Sequence, residues 1–161
     1  MEKLRIDGLE CVNALWHTDI VAESFCRLRV LEVRNCNGLS KLIPSSLLPR
    51  MRNLEEVIVT QCRLLEKVLE QTEEHSVEKV MLPNIHTVRL TNLPKLTIFL
   101  SGNRTFEWPS LERLAIEDCP SLKTFSSVLQ IIPKLNAVEI GYGLLMWNGD
   151  LDSTIRRLFP S

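Results

Sequence analysis

The sequence predicts an α/β solenoid of about five to six coils, with short parallel strands on the concave face and irregular, 3₁₀ or short helical returns on the convex face. Three observations lead there. Leucine makes up 27 of the 161 residues, well above its share of an average globular chain. Large apolar residues recur in one fixed frame. Within each copy of that frame the spacing switches from two residues to three.

The clearest copies come in order. The first is Leu28, Leu31, Val33, Cys36, Leu39 and Leu42, and the second is Leu54, Val57, Val59, Cys62, Leu65 and Val68. The third is Ile85, Val88, Leu90, Leu93, Leu96 and Phe99, and the fourth is Leu111, Leu114, Ile116, Cys119, Leu122 and Phe125. Three residues upstream of each stands Phe25, Met51, Leu82 or Trp108. At 45% apolar composition, so many coincident positions have a chance probability of roughly 10⁻¹⁰. Sliding the copies returns only about four or five powers of ten. Weaker copies flank these: Leu4, Ile6, Leu9, Val12 and Leu15 before, and Leu135, Val138 and Ile140 after, where Gly143 takes the cysteine column. Starts at 1, 28, 54, 85, 111 and 135 give steps in the range of leucine-rich repeats.

Each element has a local reason. The alternating core of a copy reads as a short strand with one buried face. The later apolar residues at three-residue steps cannot continue that strand and suit a tight turn or 3₁₀ piece. Pro44, Pro49, Pro83, Pro94, Pro109, Pro120 and Pro133 lie outside the strand cores, where they remove no ladder hydrogen bond. One copy alone exposes an apolar face, and stacking buries it. The expectation is a single repeat domain over residues 1–161, with its best repeats at 25–141 and weak terminal copies at 1–24 and 135–161. A polar insertion at 70–80 is expected as a solvated outer loop or helical turn. A second polar loop, Ser101–Thr105, contains the formal glycosylation acceptor Asn103-Arg104-Thr105.

Composition excludes several function classes. The net charge of −1 argues against binding driven by bulk basicity, so neither nucleic acid nor a membrane surface is expected as a partner. The longest apolar run, Leu144–Trp147, is too short for a membrane span, and the N-terminus lacks the apolar stretch of a secretory signal. Cysteines at 11, 26, 36, 62 and 119 form no Cys-x-x-Cys pair and stand at no ligand spacing from a histidine. Cys36, Cys62 and Cys119 share one inward column, where a thiol packs as a small hydrophobe and donates weakly to carbonyls released at the strand end. A disulfide between Cys36 and Cys62 is not excluded by spacing alone. The odd count suits a reducing compartment. His17, His75 and His86 are scattered, with His86 expected at the surface, and no hydrolase, metalloprotease or phosphate-loop motif occurs. No enzyme activity, metal or cofactor is expected.

The informative side chains point out of the strands. They are Val30, Glu32 and Arg34; Glu56, Ile58 and Thr60; Thr87, Arg89 and Thr91; Arg113, Ala115 and Glu117; and Ala137, Glu139 and Gly141. The candidate protein-binding face is Glu32, Arg34, Glu56, Ile58, Thr60, Thr87, Arg89, Thr91, Arg113, Glu117 and Glu139, a mixture suited to dispersed protein contacts. The competing reading is a merely solvated sheet face. Trp108 falls in a core column, whereas Trp147 is expected partly exposed. All three tryptophans, Trp16 included, could be mistaken for interface anchors.

The phrases Leu54-Glu55-Glu56-Val57-Ile58-Val59-Thr60-Gln61-Cys62 and Leu111 through Lys123, with Cys119-Pro120-Ser121-Leu122-Lys123, resemble leucine-rich repeats of plant intracellular immune receptors. The likeness is to the coiled-coil, nucleotide-binding, leucine-rich-repeat class. Leu82-Pro83-Asn84-Ile85 through Leu96 and Trp108-Pro109-Ser110-Leu111 are similar to that class too. The resemblance covers roughly residues 20 to 141. It implies a cytoplasmic module, with the nucleus as a second compartment, that recognises a pathogen effector or a modified host protein. It also implies contact with the nucleotide-binding domain of a parent receptor. No phosphate loop or coiled coil is present, so nucleotide binding transfers to no residue here. Met1 stands inside a repeat frame without a polar cap, which suits a piece of such a receptor or a truncated relative. The alternative is a stand-alone leucine-rich adaptor, such as the substrate-binding half of a ubiquitin ligase.

Overall fold

Alternating β-branched and aliphatic residues build the strands of this chain. A computed structural model describes residues 2–8, 26–44, 50–70, 80–102, 105–127 and 130–159. In chain order the strands are β1 (Lys3–Asp7), β2 (Val30–Arg34), β3 (Lys41–Pro44), β4 (Glu56–Thr60), β5 (Lys67–Glu70), β6 (Val80–Met81) and β7 (Thr87–Thr91). They continue with β8 (Ile98–Ser101), β9 (Phe106–Glu107), β10 (Arg113–Glu117), β11 (Thr124–Ser126), β12 (Gln130–Ile131), β13 (Val138–Glu139) and β14 (Leu145–Met146). Helix α1 (Leu151–Leu158) follows.

These strands form three sheets. The largest has the order β1-β2-β4-β7-β10-β13-β14, the second β11-β8-β5-β3, and the third β12-β9-β6. Every pairing is parallel except β13 with β14. A complete coil therefore passes once through each sheet, as β4, β5 and β6 do. Among the described residues the solenoid makes about four turns, slightly fewer than the five to six read from the leucine frame. The difference lies at the ends. Residues 9–25, most of the first weak copy, lie outside the described residues. After Glu139 the chain turns back as β14 instead of completing a further coil.

The three-residue apolar steps are single turns. Leu39, Leu65, Leu96 and Leu122 each donate an amide to the residue three before, at 3.4, 3.4, 3.3 and 3.2 Å. Leu54 and Leu111 do the same toward Met51 and Trp108 at 3.1 and 3.3 Å. Each turn closes once and stops, and strands β3, β5, β8 and β11 take over on the return. An expected 3₁₀ or helical return is thus a turn followed by a second parallel strand. The polar insertion at 71–79 lies outside the described residues, as do Asn103 and Arg104, yet the large sheet keeps its register across the longer coil. Glu56 stands beside Thr87 just as Val30 stands beside Glu56.

The core lies between the sheets. Leu31, Val57, Val88, Leu114 and Val138 form one fully buried column, and Val33, Val59, Leu90 and Ile116 another. Aromatic rings fill the C-terminal half. Phe99 and Phe125 stack with centroids 4.6 Å apart, and Trp108 meets Phe125 edge-on at 5.9 Å. Trp108 is fully buried, and its indole N–H donates to Gln130 Oε1 at 2.6 Å, satisfying the polar handle that burial would otherwise penalise.

Side chains also tie coil to coil. Asn53 Nδ2 donates to the Cys26 carbonyl at 2.5 Å, Asn84 Nδ2 to the Arg52 carbonyl at 2.8 Å, and Ser110 Oγ to the Pro83 carbonyl at 2.6 Å. The three occupy one column just before the strand. They pair backbone acceptors that the sheets leave unmatched.

The C-terminal end is covered by α1. Asp150 caps it, accepting from the Ser153 amide at 2.7 Å. Leu151, Thr154 and Ile155 face inward. Asp152 Oδ1 reaches the edge of the second sheet, accepting from Thr124 Oγ1 at 2.8 Å and from the Phe125 amide at 3.1 Å.

Candidate functional site

Parallel register turns the outward residues of the large sheet into three columns. The first is Lys3, Val30, Glu56, Thr87 and Arg113. The second is Arg5, Glu32, Ile58, Arg89, Ala115 and Glu139. The third is Asp7, Arg34, Thr60, Thr91 and Glu117. All eleven candidate residues therefore share one surface. Lys3, Arg5 and Asp7 extend it, although the sequence reading left them out. Their signal was available, because Leu4 and Ile6 had already fixed the inward positions of that strand.

Exposure differs along the face. Arg89, Arg113 and Glu117 are exposed, and Arg34, Glu56, Ile58, Thr60, Thr91 and Glu139 are half-buried. Glu32 and Thr87 are covered, despite their outward positions. Glu32 is only 6% exposed because two cations close over it: Arg34 Nε at 2.6 Å and Lys3 Nζ at 3.7 Å. Arg113 Nε pairs with Glu139 Oε2 at 3.1 Å. Thr87 Oγ1 sits 2.8 Å from His86 Nδ1. That histidine is half-buried, not at the open surface as expected. Glu117 leans over the next strand's position, where Gly141 has φ +107 and a Cβ would meet the Glu117 carboxyl at 3.3 Å.

At the end of each strand lies a column that sequence reasoning missed. Asn35, Gln61, Asn92, Asp118 and Tyr142 all adopt φ between 53 and 55, the left-handed region that Asn and Asp tolerate best. In three of them the kinked residue's amide donates to the next coil. Asn35 N–H donates to the Thr60 carbonyl, Gln61 to Thr91 and Asn92 to Glu117, at 3.0, 3.0 and 2.9 Å. The signal was an Asn or Asp between strand and cysteine column in three of the four main copies.

The cysteine column performs the expected structural task. Cys36, Cys62 and Cys119 are free, buried thiols. Each Sγ lies near the carbonyl two residues back, at 3.2, 3.5 and 3.4 Å. Desolvation pushes the Cys62 thiol up to about 11 and the Cys119 thiol up to about 12, so both are protonated and unreactive at neutral pH. Among the described residues no group of three or more His, Cys, Asp or Glu is arranged to hold a metal ion, and no helix is long and apolar enough to cross a membrane. Trp147 is 37% exposed, in line with expectation. Two open grooves border the strand ends. One of about 430 Å³ is lined by Asn35, Gln61, Arg63, Asn92 and Lys95. One of about 550 Å³ is lined by Ile116, Glu117, Tyr142, Leu158 and Phe159.

Comparison with known proteins agrees with this architecture. Residues 1–142 match a family model described as plant disease resistance protein RPS2-like, leucine-rich repeats. The chain is similar to an Arabidopsis thaliana protein named "Putative disease resistance protein At4g19050", at 28% identity over 118 residues, covering 72% of this chain and 10% of that protein. It is also similar to "Disease resistance protein At4g27190" from the same plant, at 25% identity over 123 residues, covering 75% of this chain and 12% of that protein. The chain thus spans about a tenth of the length of these curated relatives. No solved structure matches it.

Proposed function

We propose, for a chain that belongs to the RPS2-like leucine-rich-repeat family of plant disease resistance proteins, that its large sheet is a non-catalytic surface reading a protein partner. The partner is a pathogen effector or a host protein that an effector has altered, met in the cytoplasm during innate immune surveillance. In the full-length receptor the same repeats contact the nucleotide-binding domain and couple recognition to its switch. One observation carries the reading. Five strands, from β1 to β10, hold a continuous five-residue register and present outward side chains of mixed charge and polarity at regular spacing. Such a surface suits many dispersed contacts with a folded protein.

The test is charge reversal at the exposed positions. The combined variant Arg89→Glu, Arg113→Glu and Glu117→Arg is expected to lose the partner that the wild-type receptor crosslinks in pathogen-challenged plant tissue. Its thermal melt should stay within several degrees of wild type, because free surface positions cost about 0.5 kcal/mol or less each and the exposed Arg113–Glu139 pair contributes about 1 kcal/mol at most. Retention of that partner by the folded variant would count against this face.

A further inference from the structure

Charge on the large sheet is unevenly satisfied. Lys3 and Arg34 share Glu32 as their ion-pair partner, and Arg113 pairs with Glu139. Arg89 is exposed at the middle of the sheet and forms no ion pair among the described residues. Its lateral neighbours offer none, being Ile58 on β4 and Ala115 on β10. The nearest acids on this face stand diagonally. Glu56 pairs in register with Thr87 on one side, and Glu117 with Thr91 on the other. Among the described residues neither forms an ion pair.

We infer that Glu56, Arg89 and Glu117 form one diagonal reading line for an extended protein segment carrying basic, acidic and basic side chains at alternate positions. The inference rests on the concave-face reading above and adds the chemistry of the partner. Strands lie about 4.8 Å apart and alternate residues about 6.7 Å apart, so each diagonal step is about 8 Å. An extended peptide repeats its side chains on one face about every 7 Å, close enough for flexible Glu and Arg termini to meet them. The partner's acidic residue meets Arg89 in a bidentate pair. Its basic residues meet Glu56 and Glu117. Half-buried Ile58 supplies an apolar seat beside the central pair.

The experiment is selection of a displayed library of random linear peptides on the purified chain, on Arg89→Glu, and on the double variant Glu56→Lys with Glu117→Lys. Wild type should enrich the basic–x–acidic–x–basic pattern. Arg89→Glu should exchange the central acid for a base, and the double variant should exchange the flanks. Affinity of a synthetic wild-type-selected peptide should fall at least tenfold on each variant, with melts unchanged. Peptides that lose binding on Ile58→Asp but show no charge preference would overturn the reading line and leave concave recognition standing. Peptides indifferent to every substitution on the sheet, or a selection that enriches nothing, would overturn the line as well. In the indifferent case, peptide reading by the concave face fails with it.

Discussion

Single residues divide into those whose type announced their task and those whose type did not. The cysteine column announced itself, because three thiols in one repeat position just beyond a strand had only an inward role open to them. Burial then sets their chemistry. Thiolate formation at Cys62 and Cys119 is pushed from the ordinary value of 9.0 up to about 11 and about 12. The folded state therefore holds these protons more tightly than the unfolded one. The stabilisation is complete below pH 9 and is lost as pH rises through the folded values. The thermal melt should accordingly fall between pH 9 and pH 11, and less so in Cys62→Ala or Cys119→Ala. Iodoacetamide at pH 8, followed by mass spectrometry, should label Cys62 and Cys119 only at the rate of unfolding. Rapid native labelling would contradict this picture. The left-handed column was harder to read. Gln61 and Tyr142 share the φ of Asn35 and Asn92 without sharing their residue type, so no composition rule covers all five.

At the scale of elements, strands with a strict period of two were legible and the returns were not. Leu31 and Val33 place β2, and the same spacing places β4, β7 and β10. The second sheet carries no alternation. Val68 with Leu69, and Phe99 with Leu100, are adjacent buried pairs, a pattern that a short apolar run does not distinguish from a turn. Helix α1 was missed for a related reason: eight residues give little periodicity, and the signal lay in its cap, Asp150 followed three residues later by Ser153. The helix depends on Asp152 for its grip on β11. Removing that carboxylate in Asp152→Ala should leave the Phe125 amide without its acceptor, at a cost of about 1–3 kcal/mol, while the Thr124 hydroxyl keeps the Ser126 carbonyl at 3.1 Å. Hydrogen exchange at the Phe125 amide should speed up, while exchange in β2 and β4 stays unchanged. Equal acceleration along the whole sheet would mean that α1 does more than cover one end.

The whole molecule behaves as a stack in which each coil supports its neighbours. Leu114 sits between Val88 and Val138 and is 1% exposed. Leu114→Asp would bury an unpaired charge, costing on the order of 3–5 kcal/mol, a large fraction of an ordinary domain's stability. Circular dichroism should show loss of the cooperative melt. A variant that melts like the wild type would refute the continuous core. The outward face of the large sheet was legible at this scale because parallel stacking repeats one alternation coil after coil. Which of its charges are already spent was not. Lys3 reaches Glu32 only after two coils stack, and it joins there an Arg34 that lies two residues along the same strand.

The longer third step has a consequence for heredity. From Leu28 to Leu54 the frame advances 26 residues, and from Leu54 to Ile85 it advances 31. Glu56 and Thr87 nevertheless meet in unbroken register. Extra length between β5 and β6 leaves the register of the large sheet unbroken. Small insertions and deletions there can accumulate in a lineage as nearly neutral variation. On the proposed reading, substitutions at exposed positions of these columns, such as Arg89 and Glu117, change recognition at little cost to the fold. On that reading, a gene built this way can change its recognition surface and the length of its returns independently.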